Sequence, residues 1–190
     1  MAVSDPYFDA EAYRTANGLL DESEDDIIDV QAEAISRYLE KVTGQWFNTD
    51  EMGEVRRFVG NGTSVLRVDQ DGCPGIADAD GVTVTGHTSF ELFPLNAALG
   101  PEPKPFTSIV LTSGGVFAAG TIVDVEADWG WPAVPKLVIE TGIELLAIWR
   151  GQSPRSTGNM AEIDGVVAMS PMAMSLVKRV ISAYTKVRVA

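Results

Sequence analysis

The chain holds one cysteine and one histidine in 190 residues, Cys73 and His87. A lone cysteine excludes an internal disulfide framework, and a lone histidine leaves no ordinary Cys/His zinc site. Cations are scarce as well: 14 Lys and Arg stand against 27 Asp and Glu, for a formal net charge of -13 and an isoelectric point near 4.4. Binding that wraps nucleic acid works by neutralising phosphates with Lys and Arg, so this balance argues against it. No apolar run is long enough to cross a bilayer, because Glu140 and Glu144 interrupt the best stretch, and no charged start followed by an apolar core marks a secretion signal. The chain is expected to be made in the cytosol, with a length that suits one domain or a helical body carrying a smaller module.

What is present is an ordered series of elements. Asp5-Pro6 resembles an N-cap followed by proline at the first helical position, with Phe8, Ala12 and Ala16 at spacing four before Asn17-Gly18. A stronger helix follows, with Ser23 as its expected cap and Ile28, Ala32, Ile35, Leu39 and Val42 as one stripe before Gly44. Its first turns carry Glu24, Asp25 and Asp26, which favour the positive end of the helix dipole.

Beyond Trp46-Phe47 the pattern changes to short β-prone runs: Val55–Val59, Val65–Val68, Val82–Thr85, Phe90–Phe93, Thr107–Thr112 and Thr121–Ala127. The first two flank Gly60-Asn61-Gly62 and are expected to form a hairpin. In the last run Val123, Val125, Ala127 and Trp129 share one face and Asp124, Glu126 and Asp128 the other. The run ends in Trp129-Gly130-Trp131-Pro132, and Pro135 then opens a helix that is apolar around most of its circumference and reaches Trp149 and Arg150. Such a helix is expected to be buried between elements or subunits. Residues 151 to 164 are polar and rich in breakers, Ser170-Pro171 starts a final helix, and the chain closes on a basic, β-prone tail.

The fold class expected is α+β: a helical body with an inserted, mostly antiparallel β module. By residue, 1–53 is the N-terminal helical part, 54–128 the β module with long loops, 129–150 the central helix, and 151–190 the arm, last helix and tail.

None of the chemistry-bearing fragments is complete. Asp69-Gln70-Asp71-Gly72 and Asp78-Ala79-Asp80-Gly81 lack the spaced ligands and closing glutamate of a calcium loop, and turns account for them. His87 near Ser89 has no Gly-x-Ser-x-Gly elbow, and Gly60-Asn61-Gly62 lacks the Walker lysine. The four tryptophans are read as packing or interface anchors ahead of a ligand cage. No catalytic residue, metal ligand or cofactor site is expected.

In order, these blocks resemble the head-to-tail adaptor, or connector, proteins of long-tailed phages, especially those of actinobacterial hosts. The similar segments are AEAISRYLEKVTGQWF (32–47), EVRRFVGNGTSVLRVD (54–69), VDVEADWGWPAVPKLVIETGIELLAIW (123–149), and SPRSTG followed by a terminal helix. The resemblance implies a non-enzymatic virion protein of the neck. It would form a ring of about twelve copies beneath the portal, join it to a stopper or head-completion protein, and let genomic DNA pass through its lumen without sequence-specific binding. Carried onto this chain, it makes Lys186, Val187, Arg188 and Val189 candidate portal contacts and Trp129, Trp131, Pro132, Pro135 and Trp149 candidates for body or hinge packing. Their clustering makes Asp25, Asp26 and Asp29 candidate lumen acids. A stopper or tail-completion protein is the alternative, and a small hydrolase or ligand-binding module a more distant one.

Overall fold

The computed structural model describes residues 5–49, 53–70, 73–97, 99, 101–151, 162–163, 166–167 and 171–184. They fall into two compact units: residues 45–135, and residues 5–44 with the chain from 136 onward. The fold class is α+β, with four helices and small antiparallel sheets among the described residues.

The helical unit contains α1 (Ala10–Asn17), α2 (Asp25–Thr43), α3 (Lys136–Gly151) and α4 (Pro171–Tyr184). Asp9, not Asp5, caps α1: its carboxylate accepts the Ala12 N–H at 2.8 Å. Asp5-Pro6 therefore lies ahead of the helix, and Tyr7 and Phe8 between them are buried. The inward residues of α1 are Ala10 and Tyr13, while Ala16 is exposed, because the face that packs on α2 and α3 is not the expected stripe. Gly18 ends α1 at a φ of 65°, as its position after Asn17 requires.

Ser23 does not cap α2. The cap position belongs to Glu24, whose side chain makes no capping bond, and Ser23 instead donates its N–H to Asp21 at 2.9 Å in the preceding turn. The stripe Ile28, Ala32, Ile35 and Leu39 is buried as its spacing demands. It packs on α1, α3 and α4. Tyr7 locks the entering chain against α2, donating its N–H to Ser36 Oγ at 3.0 Å and its hydroxyl to Glu40 at 2.6 Å.

Within its own unit α3 buries one face, Val138, Thr141, Gly142, Leu145 and Leu146. Gly142 is a close approach: a Cβ there would lie 2.4 Å from the Phe8 ring. The remaining apolar residues of α3 are half-buried, and Trp149 is 41% exposed. Between α3 and α4, β7 (Glu162–Ile163) and β8 (Val166–Val167) pair antiparallel.

The sheet unit has two three-stranded antiparallel sheets, β1-β6-β3 and β2-β5-β4, built from β1 (Glu54–Val59), β2 (Val65–Arg67), β3 (Thr83–Val84), β4 (Phe90–Phe93), β5 (Ser108–Leu111) and β6 (Ile122–Ala127). The expected β1–β2 hairpin does not exist. Residues 60–62 carry the chain from one sheet to the other, and their backbone bonds go to the 117–121 segment: Gly60 N–H to the Thr121 carbonyl at 2.8 Å and Gly62 N–H to that of Phe117 at 2.7 Å. The sheets share one core of Leu66, Ile76, Leu92, Ile109, Phe117, Val125 and Trp129. Alternation in β6 is as expected, with Val123, Val125 and Ala127 inward.

Candidate assembly surfaces

Trp129 is fully buried and its indole N–H donates to the Glu54 carbonyl at 2.7 Å, tying the end of β6 to the start of β1. Its ring lies 5.6 Å from that of Phe58, and the Arg56 guanidinium sits 4.9 Å from its centroid and 5.3 Å from that of Trp46. Two indoles around one cation make a contact that fixes Arg56 as well as the rings. Gly130 has a φ of 122°, and a Cβ on it would stand 2.1 Å from the Asn48 carbonyl oxygen. Only glycine lets the two chain segments meet there. Trp131 is buried beside Phe47, with ring centroids 5.8 Å apart, and its carbonyl accepts the Thr49 hydroxyl at 2.6 Å. Pro132 is half-buried and Pro135 buried. The corner thus clasps the two ends of the 45–135 segment.

Of the five packing candidates, Trp129, Trp131, Pro132 and Pro135 belong to the sheet unit, whereas Trp149 belongs to the helical unit, near the end of α3.

The three candidate lumen acids differ in their surroundings. Asp25 faces Arg14 Nε at 3.0 Å, and Asp29 accepts the Ala10 N–H at 2.7 Å, so both hold α1 against α2. Asp26 is exposed and has no hydrogen bond or ion pair among the described residues. Around it, residues 19–30 contain six carboxylates and no cation. Arg14 also reaches Glu22 at 3.5 Å, and Arg150 pairs with Glu24 and hydrogen-bonds Gln31. The Ser23 amide and hydroxyl hold the Asp21 carboxyl below its usual pKa.

Sequence reading missed the apolar part of the same corner. Leu19 is 47% exposed, Leu20 94%, Ile27 56% and Val30 67%. A signal was available: Leu19-Leu20 is an apolar pair in a polar, acidic connection, outside the period of either flanking helix. Met172 and Met174 project in the same way from α4, at 65% and 41% exposed.

An open cleft of about 400 Å³ runs beside β1, lined by Arg56, Arg57, Phe58, Val59, Gln70 and Cys73. Its two arginines are committed to neighbours, Arg56 to Glu54 at 2.9 Å and Arg57 to Asp124 at 3.2 Å. His87 sits at a turn, with its ring edge-on to Phe117 at 5.0 Å. Asp78 accepts the Asp80 N–H at 3.1 Å in a local turn. Among the described residues, no group of three or more His, Cys, Asp or Glu could hold a metal ion, and no helix is long and apolar enough to cross a membrane. The candidate portal contacts Lys186, Val187, Arg188 and Val189 lie outside the described residues.

The fold is similar to that of a chain in a solved structure described as the neck of an empty GTA particle, computed with C6 symmetry. The TM-score is 0.52 at 16% sequence identity, and the match covers 100% of this chain and 95% of that one. At this identity the likeness is one of fold. No family model matches the chain, and no curated protein matches it.

Proposed function

We propose that this chain is a structural neck protein of a phage-like particle, a ring-forming adaptor between the portal and the stopper or tail. The observation that carries the reading is the full-length likeness of fold to a chain of a particle neck. Independent support comes from apolar residues left exposed on a well-packed helical unit, a signature of surfaces covered in an assembly. Twelve copies, the number implied by the adaptor resemblance, is compatible with sixfold symmetry. A ring needs a heterologous interface that closes on itself, and the helical unit supplies the surface for it. The net charge of -13 suits a lumen through which DNA slides without adhering. In this role the basic tail, Lys186 to Val189, docks on the portal, and the Trp129–Pro135 corner joins the sheet module to the ring body.

The test is genetic and structural. Particles made without this chain are expected to stop as heads lacking tails, with tails accumulating separately, and full-length protein should restore joining. A chain ending at Tyr184 should fold normally but restore joining poorly. Infective, tailed particles in the absence of the chain would overturn the proposal.

A further inference from the structure

The helical unit carries two exposed faces of opposite charge, each with exposed apolar side chains beside its charges. The first is the α1–α2 corner: Leu19 and Leu20 in the connection, then Ile27 and Val30 on the outward side of α2, opposite Ile28, Ala32 and Ile35. Carboxylates surround it, and the two cations nearby are occupied by internal pairs, Arg14 with Glu22 and Asp25, Arg150 with Glu24. Asp21 follows the leucines in the chain and Asp26 is exposed on the outward side of α2, neither in an ion pair among the described residues.

The second is the outer side of α4. Ala173, Leu176, Val177 and Val180 point inward, leaving Lys178 and Arg179 exposed on the outer side, with Met174 beside Lys178 on one edge of it and Met172 beside Arg179 on the other. The helix contains no acidic residue, and neither Lys178 nor Arg179 has an ion-pair partner among the described residues. Methionine side chains adapt their shape to an apolar partner, and paired positive charges beside them select an acidic one.

Both α1 and α4 pack on α2 and α3, and they share no extensive contact with each other. The two faces are carried by different elements and share no residue, so one copy can present both at once. A chain with two distinct complementary faces meets the next copy head to tail, and repetition of that contact makes a ring when the rotation closes.

We infer that the α4 face of one copy, Met172, Met174, Lys178 and Arg179, docks on the acidic apolar corner of the next, Leu19, Leu20, Asp21, Asp26, Ile27 and Val30. This rests on the ring reading proposed above and specifies its interface. It also gives Asp26 to a neighbouring copy in place of the lumen.

The experiment uses full-length protein with Leu20→Cys and Met174→Cys combined, and the wild type, whose single cysteine is buried, as control. Mild oxidation should give a ladder of disulfide-linked multiples from the double variant, and no multiples from the wild type. Lys178→Glu with Arg179→Glu should weaken association, read by sedimentation velocity, by about tenfold or more, because like charges then face each other. Adding Asp21→Lys and Asp26→Lys to that variant should restore it. Three outcomes overturn the assignment. Dimers from Leu20→Cys alone would mean a two-fold contact. Association that sediments normally without a disulfide ladder would place the interface elsewhere and leave the ring reading standing. A chain that stays monomeric at every concentration and is absent from the neck of imaged particles removes both.

Discussion

At the residue scale the aromatic corner is a place where single atoms matter. Trp129 fills the sheet core, donates to the Glu54 carbonyl and carries Arg56 on its face, so its removal has separable parts. Trp129→Phe keeps most of the volume but leaves a carbonyl without its donor, and should cost about 1–3 kcal/mol. Trp129→Ala adds a cavity and should cost about 3–5 kcal/mol. Chemical denaturation followed by fluorescence and circular dichroism measures both, and equal losses for the two variants would contradict the division. Gly130 was legible as a turn residue, but not the reason it must be glycine, since the Asn48 carbonyl that bars a Cβ lies 82 positions earlier in the chain.

At the scale of elements, helices were read more accurately than their ends. The stripe of α2 and the stop at Gly18 follow from local spacing. The caps did not, because Asp9 competes with Asp5, and Asp21 takes the Ser23 amide that a capping reading reserves for the helix. Two expectations follow for this region. Asp9→Ala should destabilise the helical unit by about 1 kcal/mol, measured by thermal or denaturant unfolding. Asp21 has a folded pKa held below the ordinary aspartate value near 3.8 by the Ser23 bonds. Its contribution is therefore fully present above 3.8 and is lost as the pH falls through the lower folded value. Asp21→Asn should remove that contribution at every pH above the window, neutrality included, and so flatten the acid limb until the variant and the wild type converge at low pH. An unaltered acid limb would show that the carboxylate does not hold the turn.

Strand pairing was the larger correction. Gly60-Asn61-Gly62 between two β-prone runs has every local mark of a hairpin, yet β1 pairs with β6 in register Val59 to Ile122, and β2 with β5 in register Val65 to Val110. Glycine permits a turn but does not choose its partner. Here the loop ending at Gly120 supplies the acceptors and donors that the two glycines need, and the shared core rewards two stacked sheets over one ribbon.

On the scale of the whole molecule, residues 45–135 interrupt a helical unit made from both ends of the chain. The interruption is continuous in sequence, has its own core, and has its two ends fastened by Thr49 and Trp131. It is expected to fold when excised, giving a cooperative transition by circular dichroism and dispersed β-type amide signals by nuclear magnetic resonance. The segment 5–44 alone should not, because its buried stripe needs α3 and α4. An excised sheet unit that remains unfolded would reject this autonomy.

The sequence by itself determined the positions of the helices and most strands, the α+β class, the acidic character and the scarcity of cysteine and histidine, because periodicity, propensity and composition act over a few neighbours. Only the tertiary structure decided which strands pair, that Asp25 and Asp29 contact α1, and that Leu19, Leu20, Ile27 and Val30 stay exposed. Burial depends on what the rest of the chain brings to a surface. An apolar residue that nothing reaches is visible only once every other element has found its place.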